Sequence, residues 1–118
     1  MKPSIRYFHS PDIPDLDRWR PDDPQCFGYL LQVIIGPKDG LGEESFDFLV
    51  CSPKWLEFHY KEDDIVFLRH HILVFRHDFS KVREKVEKLI ASIPGNTWEE
   101  IGTWLGRYGK WEFEDYQK

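Results

Sequence analysis

The side chains best suited to chemistry are the five histidines and two cysteines, and their spacing limits what they can do. His70 and His71 are adjacent in a segment rich in β-forming residues. In a strand their side chains point to opposite faces, so they could not bind one metal ion together. The remaining histidines are far apart and form neither an HxxxH nor an HExxH motif. We therefore expect no metal site and no cofactor.

A cysteine nucleophile would have to be Cys51, with His9 or His71 as its base. No local signature accompanies either pair, and a cysteine in a strand is commonly a small core residue. Cys26 and Cys51 are too few for a disulfide framework and too distant for a CxxC motif. Reduced thiols are expected, and whether these two can pair stays open.

Adjacent carboxylates are numerous, but most fall in predicted loops or at a helix start, where solvation and the helix dipole explain them. No spacing selects one pair as a catalytic acid and base. We therefore expect a protein that is not an enzyme and has no catalytic residues. The alternative is a small-ligand-binding protein or enzyme. Its site would lie between the strand of His70 and His71 and the face of the predicted hairpin that carries both polar and apolar residues.

Composition and charge argue against nucleic acid and membranes as partners. The chain has 118 residues and a formal net charge of −5, which repels nucleic acid and anionic membranes and attracts a cationic partner. No apolar run approaches the roughly 20 residues of a membrane span, and the first residues carry no secretion signal. We expect one cytoplasmic domain over residues 1–118, bound to neither nucleic acid nor membrane.

The first half of the chain predicts strands and a central hairpin. A short strand over residues 4–9 precedes an acidic, proline-rich loop over residues 10–24. Two apolar runs, residues 25–35 and 45–51, flank a glycine-rich turn that lacks the GK[ST] ending of a phosphate loop. The expected register gives an apolar face and a mixed face. The apolar pairs are Phe27 with Val50, Tyr29 with Phe48, and Leu31 with Phe46; the mixed pairs are Leu30 with Asp47 and Cys26 with Cys51.

The second half predicts one more strand region and the helices. Pro53 suits the first turn of a short helix, and residues 65–75 predict one long strand or two joined by a bend. Asp78 is the expected N-cap of a helix with one buried stripe, and Thr97 begins a second helix that Gly109 ends. Without βαβ alternation, this order predicts an α+β fold: a mainly antiparallel sheet of about four to five strands with two C-terminal helices on one face.

The tryptophans and the closing segment suggest where a protein partner could bind. Trp98 and Trp111 are expected to pack, whereas Trp19 in the acidic loop and Trp104 are expected to be exposed. An exposed aromatic ringed by carboxylates offers contact area together with electrostatic steering. The end of the chain, residues 111–116, alternates aromatic and acidic residues, as an extended segment with docked aromatics would.

Six segments in chain order resemble the immunity protein 8 family of bacterial polymorphic toxin systems, and the resemblance covers essentially the whole chain. The two most specific are Cys51-Ser52-Pro53-Lys54-Trp55-Leu56 and Trp111-Glu112-Phe113-Glu114-Asp115-Tyr116. The others are Ser10-Pro11-Asp12, Cys26-Phe27-Gly28, Ile35-Gly36-Pro37 and Ser45-Phe46-Asp47. The match is weakest over residues 61–64 and 69–71.

The resemblance implies an immunity protein that binds and neutralises a cognate toxin in the cytoplasm of the producing cell. An acidic inhibitor suits a basic toxin such as a nuclease, whose surface must attract phosphate. The family assigns no contact residues, so the physical argument alone selects them. The hypothetical toxin-binding residues are Asp15, Asp17, Trp19, Asp22 and Asp23 in the loop, and Glu112, Glu114 and Asp115 in the closing segment.

Overall fold

The computed structural model describes residues 1–114, which form five strands and three helices. In chain order these elements are β1 (Pro3–His9), β2 (Gly28–Pro37), β3 (Glu44–Cys51), α1 (Pro53–His59), β4 (His71–Leu73), α2 (Phe79–Ser92), α3 (Trp98–Leu105) and β5 (Lys110–Trp111). The predicted α+β class with a mainly antiparallel sheet is confirmed. No helix within residues 1–114 is long and apolar enough to cross a membrane.

The hairpin of β2 and β3 forms as predicted, but its register differs by two residues. Tyr29 opposes Val50 and Leu31 opposes Phe48, while Gly28 takes the position opposite Cys51 that was expected for Cys26. The turn is centred one residue later than expected, and Gly42 at its end adopts a left-handed φ of 98°, which glycine tolerates without strain. A shift of two residues keeps every side chain on its expected face, so the apolar face still forms the core.

The sheet order is β1-β2-β3-β4, with β5 pairing with β3 beside β4. β4 runs parallel to β3, and α1 lies on the connection between them. The expectation of no βαβ unit was therefore wrong. The ring of Trp55 in α1 packs so closely on Gly28 that a Cβ there would lie 2.2 Å from it. Since Gly28 alternates with the buried Tyr29, α1 covers the face of the sheet opposite to the core.

Residues 65–75 form much less strand than their composition predicts. Only His71–Leu73 pair with β3, along Leu49–Cys51. The rest of that edge of β3 is occupied by β5, which pairs with Phe46 and Asp47. His70, with a left-handed φ of 63°, turns the chain just before β4. The prediction of one long strand, or of two joined by a bend, was wrong because β3 has no free edge for residues 65–70.

Both C-terminal helices begin at the predicted caps. The Asp78 side chain accepts a hydrogen bond from the N–H of Lys81, and the Thr97 hydroxyl accepts one from Glu100. α3 ends at Leu105 rather than continuing to Gly109, since residues 106–109 form a turn. The buried stripe of α2 joins the inner face of the hairpin in one hydrophobic core. Its members in α2 are Phe79, Val82, Val86 and Ile90.

Candidate protein-interaction site

The carboxylates of Asp15 and Asp17 both have intramolecular partners. Asp15 Oδ1 accepts hydrogen bonds from the backbone N–H groups of Asp17 and Arg18, at 3.2 and 3.3 Å. Asp17 forms an ion pair with Arg83 of α2 at 2.9 Å. The Asp15 contacts stay within the loop, and the Asp17–Arg83 pair ties the loop to α2. The loop is therefore a preformed surface, and a partner binding these carboxylates would compete with existing contacts.

Asp23 ties the end of the loop to the start of α1. Its carboxylate accepts a hydrogen bond from the N–H of Gln25 at 2.8 Å and pairs with Lys54 at 3.3 Å. The backbone hydrogen bond and then the lysine hold the pKa of Asp23 below its ordinary value. Asp22 beside it is exposed. Of the loop carboxylates proposed for binding, Asp22 therefore projects into solvent without an ion pair to any other residue of the described chain.

The expectation that Trp19 is exposed was wrong. Its indole is partly buried and packs edge-to-face on Tyr29 and His77, with ring centroids 5.4 and 5.0 Å apart. Burial lowers the pKa of His77, with Arg20 adding to the effect. Trp19 thus closes one end of the core, because the acidic loop folds back over it. Trp104 is 38% exposed, as expected.

The closing segment is held to the sheet by its own acidic side chains. Glu112 Oε1 accepts a hydrogen bond from the Ser45 N–H at 2.7 Å, and Glu114 pairs with Arg69 at 2.7 Å. Trp111 stacks on Phe46, which confirms that this tryptophan packs. Asp115, the third acidic residue proposed here for binding, lies outside the described residues.

Asp23 of the loop and Glu112 of the closing segment are anchored near opposite ends of β3. The loop is fixed near the strand end at Cys51 through Lys54, whereas Glu112 contacts Ser45 at the strand start. At about 3.3 Å per residue, these ends are roughly 20 Å apart. The structure therefore does not bring the loop and the closing segment into one cluster, and a partner would need a large interface to contact both.

A third surface, which the sequence reasoning missed, has the clearest character of a protein-binding site. Residues 58–75, called here the apolar segment, contain six of the twelve large hydrophobic side chains exposed within residues 1–114. These are Phe58 (70% exposed), Ile65 (83%), Phe67 (95%), Leu68 (46%), Leu73 (47%) and Phe75 (71%). Scattered exposed apolar side chains are ordinary, but six within eighteen consecutive residues make this segment the strongest candidate for an interaction surface.

The apolar segment is bordered by charge. Glu57, Lys61, Asp63 and Asp64 line a depression together with the nearby apolar side chains. The Lys61 ammonium lies 4.9 Å from the centre of the Phe58 ring, so part of this charge is already placed over an aromatic face. An apolar centre with a charged rim is the usual anatomy of a protein–protein interface.

The groups considered for catalysis have structural roles. The ring nitrogens His70 Nε2 and His71 Nδ1 donate hydrogen bonds to the carbonyl oxygens of Gly106 and Arg69, at 3.1 and 2.7 Å. Burial raises the pKa of the Cys51 thiol to about 11, which makes it a poor nucleophile. Both cysteines are free thiols. Within residues 1–114 no group of three or more histidine, cysteine or acidic side chains could hold a metal ion.

The comparison with protein families gives the decisive observation. The model of the family described as immunity protein 8 matches residues 4–116, nearly the whole chain. This chain belongs to the immunity protein 8 family. The resemblance inferred from the short segments is thereby confirmed. No curated protein and no solved structure matches the chain.

Membership of the immunity protein 8 family gives the exposed surfaces a context. An immunity protein acts through a toxin partner, so exposed apolar side chains have a use in such a protein. One signal for the apolar segment was present in the sequence: the run Ile65–Leu68 directly follows the charged residues 61–64. That run was interpreted as part of a strand, because sequence alone does not show that the edge of β3 is already occupied.

Proposed function

We propose that this immunity protein 8 family member binds its cognate toxin in the bacterial cytoplasm and neutralises it as a stoichiometric complex. The toxin's active region is occluded or held inactive, and no reaction is catalysed. The apolar segment is the observation that carries this proposal. It offers Phe58, Phe67 and Phe75 as exposed anchors, each at least 70% accessible in the unbound chain.

The energetics favour this segment as the centre of the interface. A phenylalanine side chain buried on binding contributes about 1.5–3 kcal/mol, and aromatic anchors commonly dominate an interface. Three of the four loop carboxylates proposed for binding already have partners and Asp22 is exposed to solvent, so the loop is better suited to steering than to anchoring. We therefore assign the apolar segment to affinity and the loop, with Asp22 at its exposed tip, to association.

A basic toxin such as a nuclease suits the charge of the immunity protein. The net charge of −5 accelerates association with a cationic partner and repels nucleic acid from the complex. Substituting Asp22 with asparagine should lower the association rate and its salt dependence while leaving the dissociation rate nearly unchanged. Unchanged association kinetics at low salt would refute the steering role of the loop.

The function is tested with the product of the gene directly upstream. Both proteins are co-expressed, the complex is isolated, and its mass is measured by light scattering. A stable complex with fixed stoichiometry, together with rescue of growth in cells that express the toxin, is the expected result. The absence of both a complex and rescue with that product would refute this pairing and favour the small-ligand alternative.

The nuclease assignment has its own assay. The isolated partner is incubated with DNA and RNA, with and without one equivalent of the immunity protein. Cleavage that stops at a one-to-one ratio supports a nuclease inhibited by occlusion. Toxicity without cleavage of either nucleic acid would refute the nuclease assignment but leave the immunity function intact.

A further inference from the structure

A cationic groove lies beside the exposed side chains of the apolar segment, and residues 68–72 of that segment form part of its lining. Its volume is about 670 Å³, and it lies between the turn before β4, helix α2 and the turn that follows α3. Apolar side chains of Ile72, Val86 and Leu89 contribute to its lining. The groove is partly open to solvent, so side chains presented by a larger partner can enter it.

The charge of the groove is opposite to that of the whole chain. Arg69, Lys85, Lys88 and Arg107 line it, and no acidic residue does, although the chain has a net charge of −5. A local field of this sign attracts carboxylates, and the apolar lining favours an uncharged side chain beside them. Together these features match an acidic peptide that also carries an apolar or aromatic residue.

The structure already shows how the rim receives a carboxylate. Glu114 pairs with Arg69 at 2.7 Å, and the same carboxylate oxygen lies 3.7 Å from Nε2 of His70. Lys88 pairs with Glu84, while the Arg107 guanidinium lies 4.0 Å from the centre of the Trp104 ring. Within the described chain Lys85 has no ion pair, and the Arg107 contact leaves its charge uncompensated.

The groove is continuous with the apolar segment. Leu68 belongs to that segment, is 46% exposed and also lines the groove, and Arg69 follows it directly. A partner that covers the apolar segment therefore reaches the groove without a gap. A positive groove within an acidic protein would also fix the orientation of a mainly basic partner, because only an acidic segment of that partner fits there.

We propose that the groove between β4, α2 and α3 binds an acidic segment of the toxin that carries an apolar or aromatic side chain. This assignment rests on the proposed function for the source of the segment. The groove itself is testable without the toxin. The probe is a fluorescent synthetic peptide in which glutamates alternate with phenylalanine and leucine, and its control is the same peptide with glutamine in place of glutamate.

The variant Lys85→Ala/Lys88→Ala removes two exposed charges and should leave the fold intact. Its matched control is Lys2→Ala/Lys38→Ala, which makes the same change in net charge at two exposed residues near the hairpin turn. We expect the glutamate peptide to bind wild type and the control equally, and to bind the groove variant at least about tenfold more weakly. Equal binding of the glutamine peptide, or equal binding to all three proteins, would overturn the groove as a carboxylate site.

The same three proteins are then compared in complex with the toxin. Weaker toxin binding by the groove variant alone, together with competition by the glutamate peptide, is the expected result. If wild type and the groove variant form equally tight toxin complexes, the toxin does not supply the segment and this inference fails while the proposed function stands. If wild type itself forms no complex and gives no rescue, the proposed function fails, and the toxin assignment of the groove fails with it.

Discussion

Replacing Phe67 with alanine should separate binding from folding. The side chain is 95% exposed, so its removal deletes almost no buried contact in the free protein. The free energy of unfolding should change by no more than about 0.5 kcal/mol. If the toxin buries this ring, the complex loses about 2 kcal/mol of apolar burial, and the dissociation constant rises about 30-fold.

The matched control is Leu41→Ala. Leu41 is 99% exposed, as Phe67 nearly is, but it lies in the turn between β2 and β3, away from the apolar segment. Affinities are measured by calorimetry or surface plasmon resonance, and unfolding is measured by urea titration. Protection of cells that express the toxin provides an independent assay at limiting expression of the immunity protein.

Two outcomes would refute the assignment of the apolar segment. In one, Phe67→Ala and the double variant Phe67→Ala/Phe75→Ala both bind the toxin as tightly as wild type. In the other, Leu41→Ala weakens binding as much as Phe67→Ala does, which would show that any exposed apolar side chain matters equally. A loss of stability in Phe67→Ala would instead show that the ring packs in solution.

Three further predictions concern the free protein. Ser52→Ala should lower the free energy of unfolding by about 1–3 kcal/mol in urea titration, because the fully buried hydroxyl caps α1 and accepts the N–H of the buried Phe27. Stability should fall as the pH drops below about 6.5, since burial lowers the pKa of His77 and the unfolded chain binds the proton more readily. His77→Gln should remove this part of the pH dependence, and an unchanged profile would contradict it. Cys26, which is partly exposed, should react with a thiol reagent before unfolding, whereas Cys51 should react only after it.

The elements with strong local signals were predictable from the sequence. Asp78 and Thr97 could be recognised as caps because the side chain and the amide that it binds are only three residues apart. The apolar face of the hairpin could also be predicted from the sequence. Alternation fixes which side of a strand a residue occupies, so even a register error of two residues left Leu31 and Phe46 in the core.

The strand error over residues 65–75 has a physical cause, which is competition among distant segments for the same edge of β3. β5 and β4 share one edge of β3, and only the folded chain shows that this leaves Ile65 and Phe67 without a strand to join. Trp19 was misplaced for a different reason. Its loop is acidic and rich in proline, which predicts exposure, but the ring packs against the distant Tyr29 and His77.

That competition also explains why the proposed binding surface could not be predicted from composition. The sequence directs attention to acidic residues, which are easily counted, yet Asp17, Asp23 and Glu114 are largely committed to intramolecular pairs. The sequence does not show which phenylalanines are exposed, because the same residues would join the core if a sheet edge were free. In a protein that must present apolar side chains to a partner and still fold, an occupied sheet edge is a means of keeping those side chains outside the core. The apolar segment follows from the pairing of β4 and β5 with β3, and variants that weaken β5 should therefore alter toxin binding as well as stability.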